Sequence, residues 1–403
     1  MPRPVAPSQL DGVTVLEVGT LIAGPFCGRL LADMGARVIK IEAPTTGDPL
    51  RDWSYVTEHG SLWSFVQSRG KESVAIDLRS REGQRLVARL AGKADIVVEN
   101  FRPGRMEEWG LGPADLREAN PGLVYVRISG FGQTGPYRAR PGFGSTGEAL
   151  GGIRFITGFA DRPPLRVGVS LGDSVAALYA VAGALAALER RRRTGHGEVV
   201  DVALYEAVFS LLESVLPEYV YAGLVRERRG NTLPGSAPTN TYPTADGGFI
   251  AIGANSDAFF RRLCGLMGKP ELADDPRFAS NQARRRNIDE VDALVEEWTS
   301  QHPMLELWER LVEAEIPAGP IYNIADIVAD PQYAAREMIL MIPSPEVGDI
   351  AMPGLVPKFE SSAGGVRWAG PRLGAHTASV LAGDLEITAE EMARLEEAGV
   401  IAT

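Results

Sequence analysis

The sequence contains few cysteines and few histidines. Two cysteines, Cys27 and Cys264, are too few for a disulfide framework in a chain of 403 residues. We therefore expect a reducing, cytoplasmic compartment. We also expect no bound metal ion, because metal-ligand spacing is absent among the four histidines, which are His59, His196, His302 and His376.

An excess of positive charge is also absent. The chain carries 41 lysines and arginines against 52 aspartates and glutamates, for a formal net charge of −11. A basic surface is the usual footprint of nucleic-acid binding, so we expect no nucleic-acid partner. An anionic small ligand remains compatible with this charge, because it needs only a local pocket rich in N–H groups.

Long hydrophobic runs are missing too. No uninterrupted apolar run approaches the ~20 residues that a membrane span needs. The first 12 residues lack the apolar core of a signal peptide. We therefore expect neither a membrane span nor a secretion signal.

Hydrophobic residues are plentiful, at 45% of a chain longer than one core usually holds, which predicts two domains. Segments 12–19, 25–36 and 37–44 have the patterns of a strand, a helix and a strand. This βαβ order recurs and predicts an α/β domain with a parallel sheet. A polar, Gly- and Pro-containing stretch at 226–240 indicates a linker, and the chain after 316–323 is predicted to be rich in loops.

Two stretches at the ends of predicted strands carry residues suited to ligand binding. The turn at 19–26 joins a strand to a helix, where backbone N–H groups bind phosphates, although a simple packing turn is equally compatible. The end of the predicted strand at 95–101 presents Asn100 and Phe101, and Arg102 and Arg105 follow it. These side chains can donate hydrogen bonds, stack on a base or pair with phosphate, whereas Asn before a turn is also ordinary turn chemistry.

Asp173 is a carboxylate at a predicted junction between a strand and a helix. Aspartate is a preferred N-cap, because its side chain accepts a hydrogen bond from an unsatisfied backbone N–H. The local sequence therefore favours a capping role, and it offers neither a Ser-His-Asp set nor a second carboxylate to support catalysis. A catalytic role stays open on these grounds.

Short segments along nearly the whole chain resemble one family, the class III CoA-transferases, which includes formyl-CoA, carnitine and succinyl-CoA-dependent transferases. In chain order the resembling segments are LDGVTVLEVGTLIAGPFCGRLLADMGARVIKIEAP, GDPLR, SVAIDLRSREG, ADIVVENFRPG, GLG, ISGFGQTGP, ITGFADRPPLRVGVSLGDSVAALYA, RRTGHGEVVDVALYEA, IPAGPIYN and LGAHT. Each is short, and together they are specific.

The resemblance implies a role for particular residues. Asp173 matches the family's catalytic aspartate, which attacks the acyl-CoA thioester and forms a covalent aspartyl anhydride and then an aspartyl-CoA thioester. CoA esters are then substrates, and no tightly bound cofactor is expected. The implied CoA contacts are Ile22, Ala23, Asp77, Leu78, Arg79, Asn100, Phe101, Arg102, Arg105 and Arg140.

The chain departs from the family pattern at two positions where relatives often carry arginine. These positions hold Ala43 and Glu108. Arg102 or Arg105 is left to supply the phosphate contact.

The resemblance also implies the architecture. It predicts a large Rossmann-like parallel-sheet domain built from both chain ends, a smaller α/β domain, and an interlocked ring-like homodimer, with a related second subunit as an alternative. On this chain the predicted large domain covers 1–225 and 358–403, the small domain 241–323, and the linkers 226–240 and 324–357.

Three functions remain open at this stage. The family contains racemases, but these place a His-Asp pair where this chain has Phe143 and Gly144, and Phe cannot exchange a proton. A non-catalytic partner subunit is disfavoured by the presence of Asp173. The loop at 252–257 lacks the run of glycines of oxalate-specific relatives, which favours CoA transfer from succinyl-CoA to a dicarboxylic acid such as malate or citramalate.

Overall fold

The computed structural model describes residues 7–360 and 364–403, so two parts of the predicted large domain, 1–6 and 361–363, lie outside the described residues. The strands are β1 (Thr14–Glu17), β2 (Arg37–Glu42), β3 (Val56–Thr57), β4 (Gly60–Ser61), β5 (Lys71–Ile76), β6 (Ile96–Glu99), β7 (Val124–Ser129), β8 (Val199–Ala203), β9 (Thr239–Pro243), β10 (Phe249–Gly253), β11 (Ala318–Pro320), β12 (Ile339–Ser344), β13 (Gly348–Pro353) and β14 (Ile401–Ala402).

The α-helices are α1 (Ala23–Asp33), α2 (Leu62–Gln67), α3 (Arg81–Ala91), α4 (Arg105–Glu108), α5 (Pro113–Ala119), α6 (Gly144–Leu150), α7 (Ile153–Ile156), α8 (Leu171–Thr194), α9 (Leu204–Phe209), α10 (Val215–Ala222), α11 (Asp257–Leu266), α12 (Asn281–Arg286), α13 (Ile288–Thr299), α14 (Met304–Glu313), α15 (Ile324–Ala329), α16 (Pro331–Ala335), α17 (Thr377–Leu385) and α18 (Ala389–Glu397). Short 3₁₀ helices cover Pro49–Asp52 and Pro270–Ala273.

The main sheet has the strand order β14-β5-β2-β1-β6-β7-β8. All of its pairs are parallel except that of the short β14 with β5. Its central strands are buried along nearly their whole length, as in parallel sheets generally, and they carry buried charged residues among the apolar ones. The predicted α/β fold with a large parallel sheet is confirmed.

The strand order reverses next to β1. From β1 the chain builds outward through β2 and β5, and it then returns to the other side and builds outward through β6, β7 and β8. In register, Val15 of β1 lies between Val38 of β2 and Ile96 of β6. Ligands of open α/β sheets bind at such a reversal, outside the carboxyl ends of the strands.

Alternate residues of β1 enter the two cores on opposite faces of the sheet. Leu16 packs in the core that α3, α17 and α18 complete, with Leu86, Leu381 and Leu395 among its members. Val15 packs in the core that α1 and α8 complete. Burial of one such Val or Leu side chain contributes about 1.5–3 kcal/mol, so these layers hold the sheet firmly.

Among the described residues, α8 is long and apolar enough to span a membrane by length and composition alone. Half of its apolar window is buried in the protein. Its alanines, including Ala176, Ala180 and Ala184, pack against strands of the main sheet. The same test is passed by core helices of soluble proteins, and α8 has the packing of a core helix.

Two sequence-based expectations about local structure are wrong. The apolar stretch 205–221 has the pattern of a single helix, but α9 ends at Phe209 and α10 starts at Val215, with Glu213 in the left-handed region at φ 48°. The linker 324–357 is not simply loop-rich, because it contains α15, α16 and the antiparallel hairpin of β12 and β13. The hairpin forms because Ile350 and Met352 alternate inward on β13.

The chain folds as two compact units. The first comprises the described residues of Met1–Arg154, Val167–Leu224 and Ala335–Thr403, and the second comprises Phe155–Arg166 and Val225–Ala334. The second unit has the antiparallel sheet β11-β10-β9 packed on helices around Tyr242, Ile250 and Leu311. Its bounds are wider than the predicted 241–323, because 226–240 and 155–166 have their contacts within it.

Candidate active site

The sequence-predicted site residues follow strands of the main sheet at its carboxyl edge. Ile22 and Ala23 follow β1, Asn100–Arg102 follow β6, and both strands flank the order reversal. Asp77–Arg79 follow β5, three strand spacings from β6, which is about 14 Å. The edge is thus long enough for an extended ligand.

The turn after β1 is tied to the turn after β6 through Asn100. The Asn100 Oδ1 accepts a hydrogen bond from Thr20 N at 2.8 Å, and its Nδ2 donates to Thr20 O at 2.8 Å. A Cβ added at Gly19 would lie 2.6 Å from this Oδ1, and one at Gly24 would lie 3.1 Å away. Both ends of the Asn100 amide therefore hold the β1–α1 turn, and the two glycines make room for it.

Asp48 holds the same turn from the other side. Both of its oxygens accept from Leu21 N, at 2.9 and 3.1 Å, and Oδ2 accepts from Lys40 Nζ at 2.8 Å. Leu21 has φ 65°, a left-handed conformation that costs a non-glycine residue about 1 kcal/mol or more. Asp48 and Asn100 thus fix a turn that would not persist by its own propensity.

A buried charge cluster lies beneath this turn. Lys40 Nζ also contacts Glu17 Oε1 at 2.9 Å, and Lys71 Nζ contacts Glu17 Oε2 at 2.7 Å. Burial disfavours the charge of Lys40, but Glu17 and Asp48 outweigh burial and raise its pKa above the ordinary value. The lysine therefore stays charged and keeps Asp48 in place.

Glu42, at the end of β2, forms the outer part of this network. Its two oxygens accept from Arg51 Nε and Nη2, each at 2.8 Å. Burial acts to raise the pKa of Glu42, yet the Arg51 hydrogen bonds and charge lower it to about 2. Asp48 and Arg51 belong to the segment GDPLR, whose function in the fold was not predictable from the sequence.

Ile22 and Ala23 offer their backbone rather than their side chains to a ligand. Both side chains are buried, and Ile22 O accepts a hydrogen bond from Gln67 Nε2 at 3.1 Å. The N-cap of α1 is Ile22, which supplies no side-chain cap to the first-turn N–H groups. A helix start of this kind is suited to an anionic group.

Asp77 and Arg79 form a local pair. Asp77 Oδ1 accepts from Arg79 N and Arg79 Nε, each at 3.0 Å. Partial burial acts to raise the pKa of Asp77, but the hydrogen bonds from Arg79 hold it below the ordinary value. Leu78 packs against the core, so only the exposed Arg79 guanidinium projects into solvent.

The two arginines after β6 differ in their surroundings. Arg105 Nη1 lies 2.7 Å from Glu108 Oε2, and its guanidinium lies over the Trp109 ring at 5.6 Å. Phe101 packs edge-on against the same ring at 5.2 Å. Arg102 is exposed. Arg105 is therefore engaged by Glu108, which occupies one of the two positions where relatives often carry arginine.

Arg140 lies in the segment after β7. Its guanidinium lies 3.7 Å from the centroid of the Tyr137 ring, and Tyr137 in turn packs edge-on against Phe131. The stacking orients the guanidinium at the exposed carboxyl edge of the sheet.

Asp173 is the third residue of α8 and not its N-cap, so the capping interpretation is wrong. The N-cap is Ser170, whose carbonyl accepts from Ser174 N at 3.1 Å and whose side chain makes no cap. Since α8 packs against β7 and leads back to the parallel β8, its first turn lies at the carboxyl edge of the sheet. The carboxylate in this turn is favoured by the helix dipole.

Gly144 lies directly against the Asp173 carboxylate. A Cβ added at Gly144 would be 2.0 Å from Asp173 Oδ2 and 2.6 Å from its Cγ. The adjacent Phe143 is 65% exposed. A side chain at position 144 would therefore require the Asp173 carboxylate to move.

The loop at 252–257, predicted to influence the acceptor, lies in the second unit and is held by a buried arginine. Arg284 donates to the carbonyls of Ala237, Phe278 and Asn255 at 2.8, 2.8 and 2.7 Å. It also contacts Asp257 Oδ1 at 2.9 Å. Arg284 was missed by sequence reasoning, because nothing in its basic surroundings at 284–286 signals a fully buried side chain.

The described residues contain no cluster of three or more His, Cys, Asp or Glu side chains able to hold a metal ion. Both cysteines are buried and free. Burial raises the pKa of the Cys27 thiol to about 12 and that of Cys264 to about 11. Neither thiol is therefore suited to nucleophilic chemistry.

The chain is similar to known proteins over nearly its whole length. The chain is 52% identical to the succinyl-CoA–D-citramalate CoA-transferase of Chloroflexus aurantiacus, over 98% of each chain. It is 38% identical to the alpha subunit of the succinyl-CoA–L-malate CoA-transferase of Chloroflexus aurantiacus, over 97% of this chain and 92% of that one.

A solved structure and a family model give the same assignment. The crystal structure of a CAIB/BAIF family protein from Brucella suis matches with a TM-score of 0.85 and 36% identity, covering 94% of this chain and 100% of that one. A model described as CoA-transferase family III matches residues 10–377. The chain belongs to CoA-transferase family III and is a CoA-transferase.

Proposed function

We propose that the chain transfers CoA from succinyl-CoA to a dicarboxylic acid, with D-citramalate as the acceptor to test first, and that Asp173 is the nucleophile. The observation that carries the substrate assignment is the 52% identity, over 98% of both chains, to an enzyme named for succinyl-CoA and D-citramalate. The relative named for L-malate is less similar, at 38%.

The proposed reaction proceeds through covalent intermediates on one carboxylate. Asp173 attacks the thioester carbonyl of succinyl-CoA, the C–S bond breaks, and the products are a succinyl-aspartyl anhydride and the CoA thiolate. The thiolate attacks the Asp173 carbonyl and releases succinate. The acceptor carboxylate then attacks the aspartyl-CoA thioester, and the released thiolate attacks the acceptor carbonyl to give the acceptor CoA ester and free Asp173.

The chain's contribution to this chemistry is mainly position. A carboxylate is a weak nucleophile, and correct placement supplies effective molarities of roughly 10⁵ M or more. Asp173 is held in the first turn of a 24-residue helix and packed against Gly144, which supports such a role. The leaving group needs no protonation, since a thiol pKa is about 8.5.

The CoA moiety is proposed to lie along the carboxyl edge of the main sheet. The backbone of the β1–α1 turn and the guanidinium groups of Arg79, Arg102 and Arg140 are the groups we assign to it. The buried ion pair of Asp48 and Lys40 supports this assignment indirectly. It holds the β1–α1 turn in place, and it leaves the exposed groups of the turn available to a ligand.

The acceptor is tested by mixing the purified chain with succinyl-CoA and, separately, D-citramalate, L-citramalate, L-malate, glutarate and oxalate. Chromatography of CoA esters is expected to show transfer to D-citramalate with the highest kcat/KM. Transfer to none of the dicarboxylates would refute the proposed substrate class.

The nucleophile is tested by trapping. After incubation with succinyl-CoA, hydroxylamine or borohydride is expected to modify Asp173, as detected by mass spectrometry of its peptide. Asp173→Ala should lack both the modification and the activity. Full activity in Asp173→Ala would refute the covalent route.

We also propose that the active form is an interlocked homodimer. Helices α8–α10 expose large apolar side chains, including Tyr179, Phe209, Tyr219 and Tyr221, of which Tyr221 is 96% exposed. Exposed apolar side chains of this size and number are typical of an interface. Light scattering should give twice the chain mass of 43.3 kDa, and activity of the purified chain by itself would exclude a required second subunit.

A further inference from the structure

The start of α8 is packed onto α6 through two glycines. A Cβ added at Gly172 would lie 2.7 Å from Gly144 O and 3.2 Å from Gly144 C. The reverse contact, from Gly144 to Asp173, is closer still. The backbone next to the proposed nucleophile is therefore in van der Waals contact with a neighbouring helix, and it has little freedom to shift.

A second buried carboxylate bonds to this backbone. Glu148, on α6, is 1% exposed, and its Oε1 accepts a hydrogen bond from Gly172 N at 3.3 Å. The first four N–H groups of a helix have no partner within the helix, and the Ser170 side chain caps none of them here. Glu148 therefore caps α8 from another element, one residue before Asp173.

Arg154 pairs with this carboxylate and orients it. Its Nε and Nη2 donate to Glu148 Oε2 at 3.1 and 3.0 Å. The two oxygens of Glu148 are thus divided, one for the arginine and one for Gly172 N. A buried carboxylate without such a partner would be costly, so the pair serves to present Oε1 to the helix start.

We infer that Glu148 is a positioning residue for CoA transfer, which sets the first turn of α8 and with it the orientation of the Asp173 carboxylate. This inference rests on the proposed role of Asp173. Glu148 does not contact the reacting atoms. Its effect is expected on the chemical step, because a displacement of about 1 Å at a nucleophile can cost about 10²-fold in rate.

Two variants with side chains of similar size separate the effect of the hydrogen bond to Gly172 N from the effect of side-chain packing. Glu148→Gln retains one acceptor oxygen, for which Gly172 N and Arg154 compete, whereas Glu148→Leu fills the site without any acceptor. We expect Glu148→Leu to lower kcat at least tenfold with KM for succinyl-CoA within twofold of wild type. Glu148→Gln should have a kcat between those of wild type and Glu148→Leu.

The matched control is Asp33→Leu, which removes another buried carboxylate that binds an arginine. Asp33 accepts hydrogen bonds from Arg69 Nε and Nη2 at 2.9 and 2.6 Å. It is the last residue of α1, and in the described part of the chain it makes no hydrogen bond to the first turn of α8. Asp33→Leu should lower the melting temperature and leave kcat per trapped active site unchanged.

Particular results would overturn the inference. One is a kcat of Glu148→Leu equal to that of the Asp33→Leu control. The other is a kcat of Glu148→Gln as low as that of Glu148→Leu. If either variant folds poorly, the rate of CoA release in a single turnover without acceptor, normalised to trapped Asp173, gives the same comparison for the folded fraction. Activity surviving in Asp173→Ala would instead refute the proposed function itself.

Discussion

The contact between Gly144 and Asp173 allows the position of a nucleophile to be tested with one methyl group. In Gly144→Ala the added Cβ would lie 2.0 Å from Asp173 Oδ2, while real Cβ contacts essentially never fall below 3.0 Å. The carboxylate must therefore move by about 1 Å or more. The backbone has less room to yield, since Asp173 N is 3.1 Å from the same Cβ.

The expected result is a separation of activity from stability. Alanine is a better helix former than glycine, and the clash is relieved by rotation of one side chain, so the fold should tolerate the change. A 1 Å displacement of a reacting group costs about 10²-fold in rate, which corresponds to about 2.7 kcal/mol of activation free energy. We therefore expect kcat to fall about 10²-fold with little change in melting temperature.

The assay compares initial rates of CoA transfer from succinyl-CoA with thermal melting of the same preparation. The control is Gly383→Ala in α17, where an added Cβ meets no atom within 4 Å. That variant should match or exceed wild-type stability and retain wild-type kcat. Wild-type kcat in Gly144→Ala, alongside an inactive Asp173→Ala, would show that the observed carboxylate position is not the one that reacts.

Three further predictions concern the carboxyl edge of the main sheet. Asp48→Asn should lower the free energy of unfolding by about 2 kcal/mol, because hydrogen bonds to a buried charged group are lost. It should also raise KM for acyl-CoA. Urea unfolding measures the first effect, and initial rates of CoA transfer measure the second. The pKa of Glu42, which burial acts to raise, is held at about 2 by Arg51, so the stability from this pair is complete above pH 4.5 and is lost as pH falls toward 2. Glu42→Gln should accordingly show a shallower loss of unfolding free energy below pH 4.5 than wild type, by up to about 1.4 kcal/mol per pH unit. Arg102→Ala should raise KM for acyl-CoA more than Arg105→Ala does, and equal effects in a steady-state assay would contradict the assignment of the phosphate contact.

The fold was largely predictable because its main signals are local. The strands β1, β2 and β6 are short apolar runs separated by helix patterns, and right-handed βαβ units leave few arrangements for them. The hairpin of β12 and β13 was missed because Pro343 and Pro353 interrupt its pattern, and proline argues against a strand.

The site was predictable only in part, because its decisive contacts join residues far apart in the chain. Asn100 was predicted to bind a ligand, yet both ends of its amide hold Thr20, 80 residues away. The local sequence favoured a capping role for Asp173, because the true capping group, Glu148, lies 24 residues before Gly172, on another helix. Local propensity cannot register a cap supplied by tertiary structure.

These contacts share one physical logic. A weak carboxylate nucleophile gains its reactivity from placement, so the residues that restrict its motion matter as much as the carboxylate. Gly144 and Gly172 act by having no side chain, and Glu148 acts through a hydrogen bond to backbone. None of the three carries out a chemical step, yet each limits where the Asp173 carboxylate can lie. Substitutions that alter the reaction are therefore expected at these chemically inert positions, and a search confined to reactive side chains would overlook them.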